Sequence, residues 1–228
     1  MAHWAPGNAD LPTSGVTPGT YGDGTHVGQV TVAASGLVTA ASNVLITGGG
    51  GSGNFTLICD DLLSGSQASF DTNTILGGNI SGAYKHLKLY VYGRSDNADT
   101  NEALYMNFNN DSTAAHYDIA SFTFSGGGTT SSTGGTDSKI TMGNIPAANA
   151  PASYFSQTEV TIANYADTTG FKSTHGLGGL ERGTTAANSF VVFNAGLWLS
   201  TAAVNRIAVV PQAGNFVAGS RFTLYGLS

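Results

Sequence analysis

Carboxylates come first among the residues that could do chemistry. Asp96, Asp99, Glu102, Asp111 and Asp118 gather in and around one predicted hairpin, where a glycosidase acid pair or an oxygen-ligated calcium site can be imagined. The loop from Arg94 to Asn101 lacks the spaced ligands and glycine of an EF-hand loop, so these groups read as solvated loop charges. The five histidines, His3, His26, His86, His116 and His175, lie at least 23 residues apart, and none forms a His-x-x-x-His pair. Cys59 is the only cysteine, which rules out an intrachain disulfide and a cysteine-based zinc site and suits a small buried hydrophobe. No Gly-x-Ser-x-Gly elbow is present. We therefore expect no catalytic residue, no metal and no cofactor.

Aromatic residues are more informative. Tyr84, Tyr90, Tyr92, Tyr105, Tyr117 and Tyr154 stand beside polar residues, a setting that suits sugar stacking and equally suits sheet faces buried between subunits. Of these, Tyr90, Tyr92, Tyr105 and Tyr117 are the candidate ligand-binding residues. Trp198, within Gly196-Leu197-Trp198-Leu199, reads as core. Residues 1 to 14 carry Trp4, Pro6 and Pro12 in an extended, non-helical composition, and these three are the candidates for docking to a larger particle.

The elements that must position these groups are strands. In the segment 86–92, Leu87, Leu89 and Val91 point to one face and Lys88, Tyr90 and Tyr92 to the other. The segment 103–109 repeats this with Leu104, Met106 and Phe108 inward. Further strands are predicted at 117–124, 139–142, 157–162, 190–193, 206–210 and 221–225, with at most one or two helical turns. Glycine- and threonine-rich connections at 125–138 and 175–189 are too long for simple hairpin turns and read as contact loops. The expected fold is all-β: an antiparallel sandwich, jelly-roll-like, over residues 54–228.

Before it, residues 27–34 and 37–46 flank Ser35-Gly36 as a hairpin with little apolar surface, marginal on its own and so expected to pack on copies of itself or on another chain. The run 48–53, five glycines and one serine, closes a 15–53 module as a flexible linker. It is no phosphate loop, because no Lys-Ser/Thr pair ends it.

Composition narrows the function classes. Only 10% of the 228 residues are charged, against roughly 25% in ordinary domains. The net charge is −6, and the eight Lys and Arg never form a run, which disfavours nucleic acid as a partner. No stretch approaches the apolar length of a membrane span, and the first ten residues have no basic, apolar leader, so neither a membrane anchor nor secretion is expected.

A resemblance completes the reading. Gly15-Val16-Thr17-Pro18-Gly19-Thr20-Tyr21-Gly22, then Val30-Thr31-Val32, then Gly36-Leu37-Val38-Thr39-Ala40-Ala41-Ser42-Asn43 resembles a short module of bacteriophage tail fibres and related virion fibre proteins. The usual Asp-x-x-Gly-Arg between its strands is replaced by Ala33-Ala34-Ser35-Gly36-Leu37, which removes charge and keeps the turn glycine. Three segments are similar to a C-terminal β-sandwich domain of phage structural proteins. They are Gly143-Asn144-Ile145-Pro146-Ala147-Ala148, Ile162-Ala163-Asn164-Tyr165-Ala166 with Phe171-Lys172, and the stretch from Asn215 to Leu227. The resemblance implies a virion surface protein, a short homotrimeric fibre or spike, and the absence of catalytic motifs adds the expectation that it is not an enzyme. It would be docked to a capsid, portal or tail protein and in weak multivalent contact with host-surface glycan. The alternative is a decoration or cement protein stabilising the head. A glycan-depolymerising tailspike is a third reading, for which no acid pair is evident.

Overall fold

The computed structural model describes residues 13–45, 55–128, 130–181, 183 and 189–228. Trp4, Pro6, Pro12 and the 48–53 linker lie outside the described residues. Two compact units divide the chain, Met1–Ser52 and Gly53–Ser228.

In the first unit β1 (His26–Val32) pairs antiparallel with β2 (Val38–Leu45), with a register shift at Thr31/Val32. The turn closes through Ala33 N–H to the Leu37 carbonyl at 2.8 Å and Gly36 N–H to the Ala33 carbonyl at 2.9 Å, with Gly36 at φ 83°. Only glycine adopts that backbone without a steric penalty. The approach to β1 is held by Asp23, whose carboxylate accepts from the backbone N–H groups of Thr25 and His26 at 2.7 and 2.8 Å. None of its described residues is buried, and Val27, Val30, Val32, Val44 and Leu45 are exposed.

The second unit is an antiparallel β-sandwich. Its larger sheet has eight strands, in spatial order β3 (Phe55–Leu62), β14 (Arg221–Leu227), β5 (His86–Gly93), β10 (Ser156–Ile162), β11 (Lys172–Glu181), β12 (Ser189–Trp198), β7 (Tyr117–Ser125) and β8 (Thr130–Asp137). The smaller has four, in order β4 (Phe70–Asp71), β13 (Ile207–Pro211), β6 (Asn101–Phe108) and β9 (Ile140–Pro146). One short helix, α1 (Thr72–Leu76), is capped by Asp71 through Asn73 N–H at 3.0 Å and ends on the left-handed Gly77.

The strict alternation in β5 and β6 buries Leu87, Leu89, Val91, Leu104, Met106 and Phe108 completely, in one core with Ile140, Val160, Ile207, Val209, Phe222 and Leu224. Phe70 fills its end, its ring 4.8 Å from Phe216 and 5.2 Å from Phe222. Of the connections expected at 125–138 and 175–189, residues 130–137 form strand β8 and residues 175–181 belong to strand β11. At Gly196 a Cβ would sit 2.8 Å from Ile140 Cγ2 and from Thr174 Oγ1, so β12 approaches β9 more closely than any side chain allows. Packing against such backbone needs glycine, which erases the alternation that would mark a strand.

Candidate functional site

The outward face of the eight-stranded sheet carries the candidate site. Antiparallel register places Thr223 between Asp60 and Tyr90, and Arg221 between Leu62 and Tyr92. Tyr225 lies between Leu57 and Lys88 in the same way. The register of β3 against β14 slips by one residue at Ile58, where Leu224 opposes Cys59 and Tyr225 opposes Leu57. This bulge reverses the phase of β3: Cys59 is buried on the inner side, while Leu57 joins the outer face beside Tyr225.

Leu57, Asp60, Tyr90, Tyr92, Arg221, Thr223 and Tyr225, with Gln157 of β10, line an open cleft of about 600 Å3. Its rings meet edge to face, Tyr90 with Tyr225 at 6.0 Å and Tyr225 with Phe55 at 5.8 Å. Tyr92 stacks on Phe155 at 5.0 Å and 12°, which fixes the ring of an otherwise exposed side chain. Across the cleft, Arg221 Nε donates to Asp60 Oδ1 at 2.7 Å and Nη2 donates to Oδ2. Thr223 Oγ1 adds a third bond to Asp60 at 2.9 Å.

Hydrogen bonds from Arg221 hold the Asp60 carboxyl below the usual carboxylate range, and the same contact raises the Arg221 guanidinium. A catalytic general acid needs the opposite shift. Lys88 bridges to Glu159 at 2.9 Å with its ammonium 5.6 Å from the centre of the Tyr90 ring, so the charges at this cleft are matched in pairs. The surface offers aromatic faces and edges, hydroxyls and an amide with no net charge. That combination fits a neutral polyhydroxylated ligand.

The structure therefore brings Tyr90 and Tyr92 together and separates the other two tyrosine candidates from them. Tyr105 lies in β6 of the opposite sheet, half-buried, with the Lys139 ammonium 4.8 Å from its ring centre. Tyr117 is a correction. It is fully buried, accepts from Phe108 N–H at 3.0 Å and donates to the Asp111 carbonyl at 3.0 Å, and burial pushes its hydroxyl up to about 12. No ligand can stack on it, because Trp198 and Phe108 occupy its surroundings.

Four of the five candidate carboxylates serve local structure, and Asp118 stands exposed on β7. Asp96 accepts from Asn215 N–H at 2.7 Å, Asp99 from Thr100 N–H at 2.6 Å, and Glu102 from the Asn97 amide. Asp111 accepts from the Trp198 indole at 2.8 Å and sits 2.9 Å from His116 Nδ1. It is therefore a partly buried anchor rather than a solvated loop charge. Among the described residues, no three His, Cys, Asp or Glu side chains converge into a metal-binding group.

Sequence reasoning missed Asp60, Gln157, Arg221, Thr223 and Tyr225. Asp60 and Arg221 are 161 residues apart, and only the pairing of the first and last strands of the sandwich brings them together. Compared with known protein families, with curated proteins and with solved structures, the chain has no match in any of the three.

Proposed function

We propose that this chain is a structural protein on the surface of a phage-type virion, a short homotrimeric fibre or spike that contributes to attachment to host-surface glycan. The observation that carries the reading is the hairpin unit. It is a hydrogen-bonded element with no buried residue among those described and with five exposed aliphatic side chains, and two strands of this kind do not hold in water without further packing. Association with copies of itself supplies that packing. The resemblance to virion fibre modules over residues 15 to 43 supports the same conclusion independently.

The Tyr90–Tyr92 cleft supports the attachment role. It is shallow, aromatic and charge-balanced, the kind of surface that binds sugars weakly and relies on several copies for avidity. Labelling intact particles with an antibody to residues 54–228, and deleting the gene, tests the reading. Label at the particle periphery with poor adsorption of the deletion mutant is expected. Normal adsorption together with loss of heat resistance would replace attachment by cementing of the head, and unlabelled particles would remove the chain from the virion.

A further inference from the structure

A second region of the same sheet face differs from the cleft in chemistry. Register aligns Leu177 of β11 with Phe193 of β12 and Phe193 with Phe122 of β7, while Val191 aligns with Phe124. All five point outward, with exposures of 40% for Leu177, 42% for Val191, 49% for Phe193, 41% for Phe122 and 44% for Phe124. Phe122 and Phe124 meet edge to face at 4.6 Å, and Phe124 meets Phe193 at 6.2 Å. No charged or hydrogen-bonding side chain interrupts this cluster. Its rim is polar, from Gln157 and Glu159 on one side to Thr130 and Ser132 on the other, and Glu159 is already paired with Lys88. An apolar centre with a polar rim is the anatomy of a protein interface rather than of a sugar site.

The neighbouring edge points the same way. β8 is the outermost strand, eight residues long, and every residue but Asp137 is exposed. From Thr130 to Gly135 it carries no charge and no proline, the devices by which isolated sheets block pairing at an edge.

The area identifies the occupant. Three phenylalanine rings of roughly 200 Å2 each, less than half exposed, together with Leu177 and Val191, make a patch on the order of 400 Å2. A partner arriving freely from solution needs about 800 Å2 per side. A patch half that size is too small to capture a freely diffusing partner by itself and suits a molecule that is already tethered nearby, where effective concentration replaces contact area. The chains joined through the hairpin unit are such molecules.

From this we infer that the β11–β12–β7 face, centred on Phe193, is the contact by which the sandwich of one chain docks on that of a second copy of the same chain. The inference rests on the self-association proposed above and adds where the sandwiches meet. It also divides the outer face between two tasks, the apolar end for the neighbouring subunit and the tyrosine cleft for ligand.

Thiol labelling of the full chain tests it. Cys59 is buried and burial pushes its thiol up to about 11, so it stays silent at neutral pH and a single introduced cysteine reports alone. Phe193→Cys and, as an independent probe on another strand, Leu177→Cys are compared with Thr168→Cys in an exposed loop. In the assembled protein, both patch cysteines should react with a polar maleimide about tenfold more slowly than Thr168→Cys. The protection should vanish when Val30→Asp is added to break the hairpin association. Fast labelling in a protein that light scattering shows to be oligomeric overturns the contact while leaving self-association intact. A monomer overturns both, and protection that persists in the Val30→Asp monomer overturns the assignment of a second copy.

Discussion

Trp198, at the end of β12, donates its indole N–H to the carboxylate of Asp111 at 2.8 Å, across 87 residues of sequence. Burial alone would push the Asp111 carboxyl up, but hydrogen bonds from Trp198, His116 and Thr113 outweigh it and hold the group well below the usual carboxylate range. A carboxylate lowered by folding adds stability that is complete above its unfolded pKa of about 3.9 and is lost as pH falls toward the folded value. The melting temperature should therefore fall below about pH 4, and in Asp111→Asn that part of the decline should flatten. Asp111→Ala, which leaves the Trp198 donor unpartnered, should cost about 2 kcal/mol in urea unfolding at pH 7.

Arg94 offers a second stability test. It is 9% exposed, and its guanidinium donates to four backbone carbonyls, those of Ala148, Ala150, Pro151 and Tyr154, at 2.8 to 3.3 Å. These bonds fix the connection between β9 and β10, and burial lowers the guanidinium below its ordinary value. Arg94→Ala strands several acceptors at once and should destabilise the sandwich by about 3 kcal/mol, measured by denaturant midpoint. Arg94→Lys should recover only part, since an ammonium cannot reproduce the planar fork.

The two roles of tyrosine separate cleanly. Tyr92→Ala removes a ring exposed at the cleft and should leave the melting temperature within a few degrees while weakening binding to host-surface polysaccharide about tenfold. Tyr117→Phe should do the reverse, costing about 1 kcal/mol by losing the hydroxyl bonds with no effect on polysaccharide binding.

Gly196→Ala tests the close approach of the two sheets. The added methyl would meet Ile140 and Thr174, and neither can yield without moving the core, so a loss of about 2 kcal/mol is expected in thermal or denaturant unfolding.

The legibility of these features follows their physics. Strands β5 and β6 are visible because buried Leu87, Leu89, Val91, Leu104, Met106 and Phe108 alternate with partly exposed polar or aromatic residues. Strand β3 is hidden by its own bulge, which puts Leu57 outside and Cys59 inside, and β8 is hidden because neither of its faces is buried. β11 is masked by Gly176, Gly178 and Gly179. At the site, Tyr90 and Tyr92 are readable as outward neighbours on one strand. Tyr117 has the same local look but lies on the inner phase of β7, opposite Trp198. The Asp60–Arg221 pair leaves no local trace, since it exists only through the pairing of the terminal strands.

Self-association is the claim on which the functional account stands, and the mass of the intact chain in solution tests it most directly. Light scattering on the full-length protein should give about three times the 23.2 kDa of one chain, and the Val30→Asp variant should give about one chain mass with the sandwich still folded. A stable monomer of the unaltered chain at micromolar concentration would contradict the account.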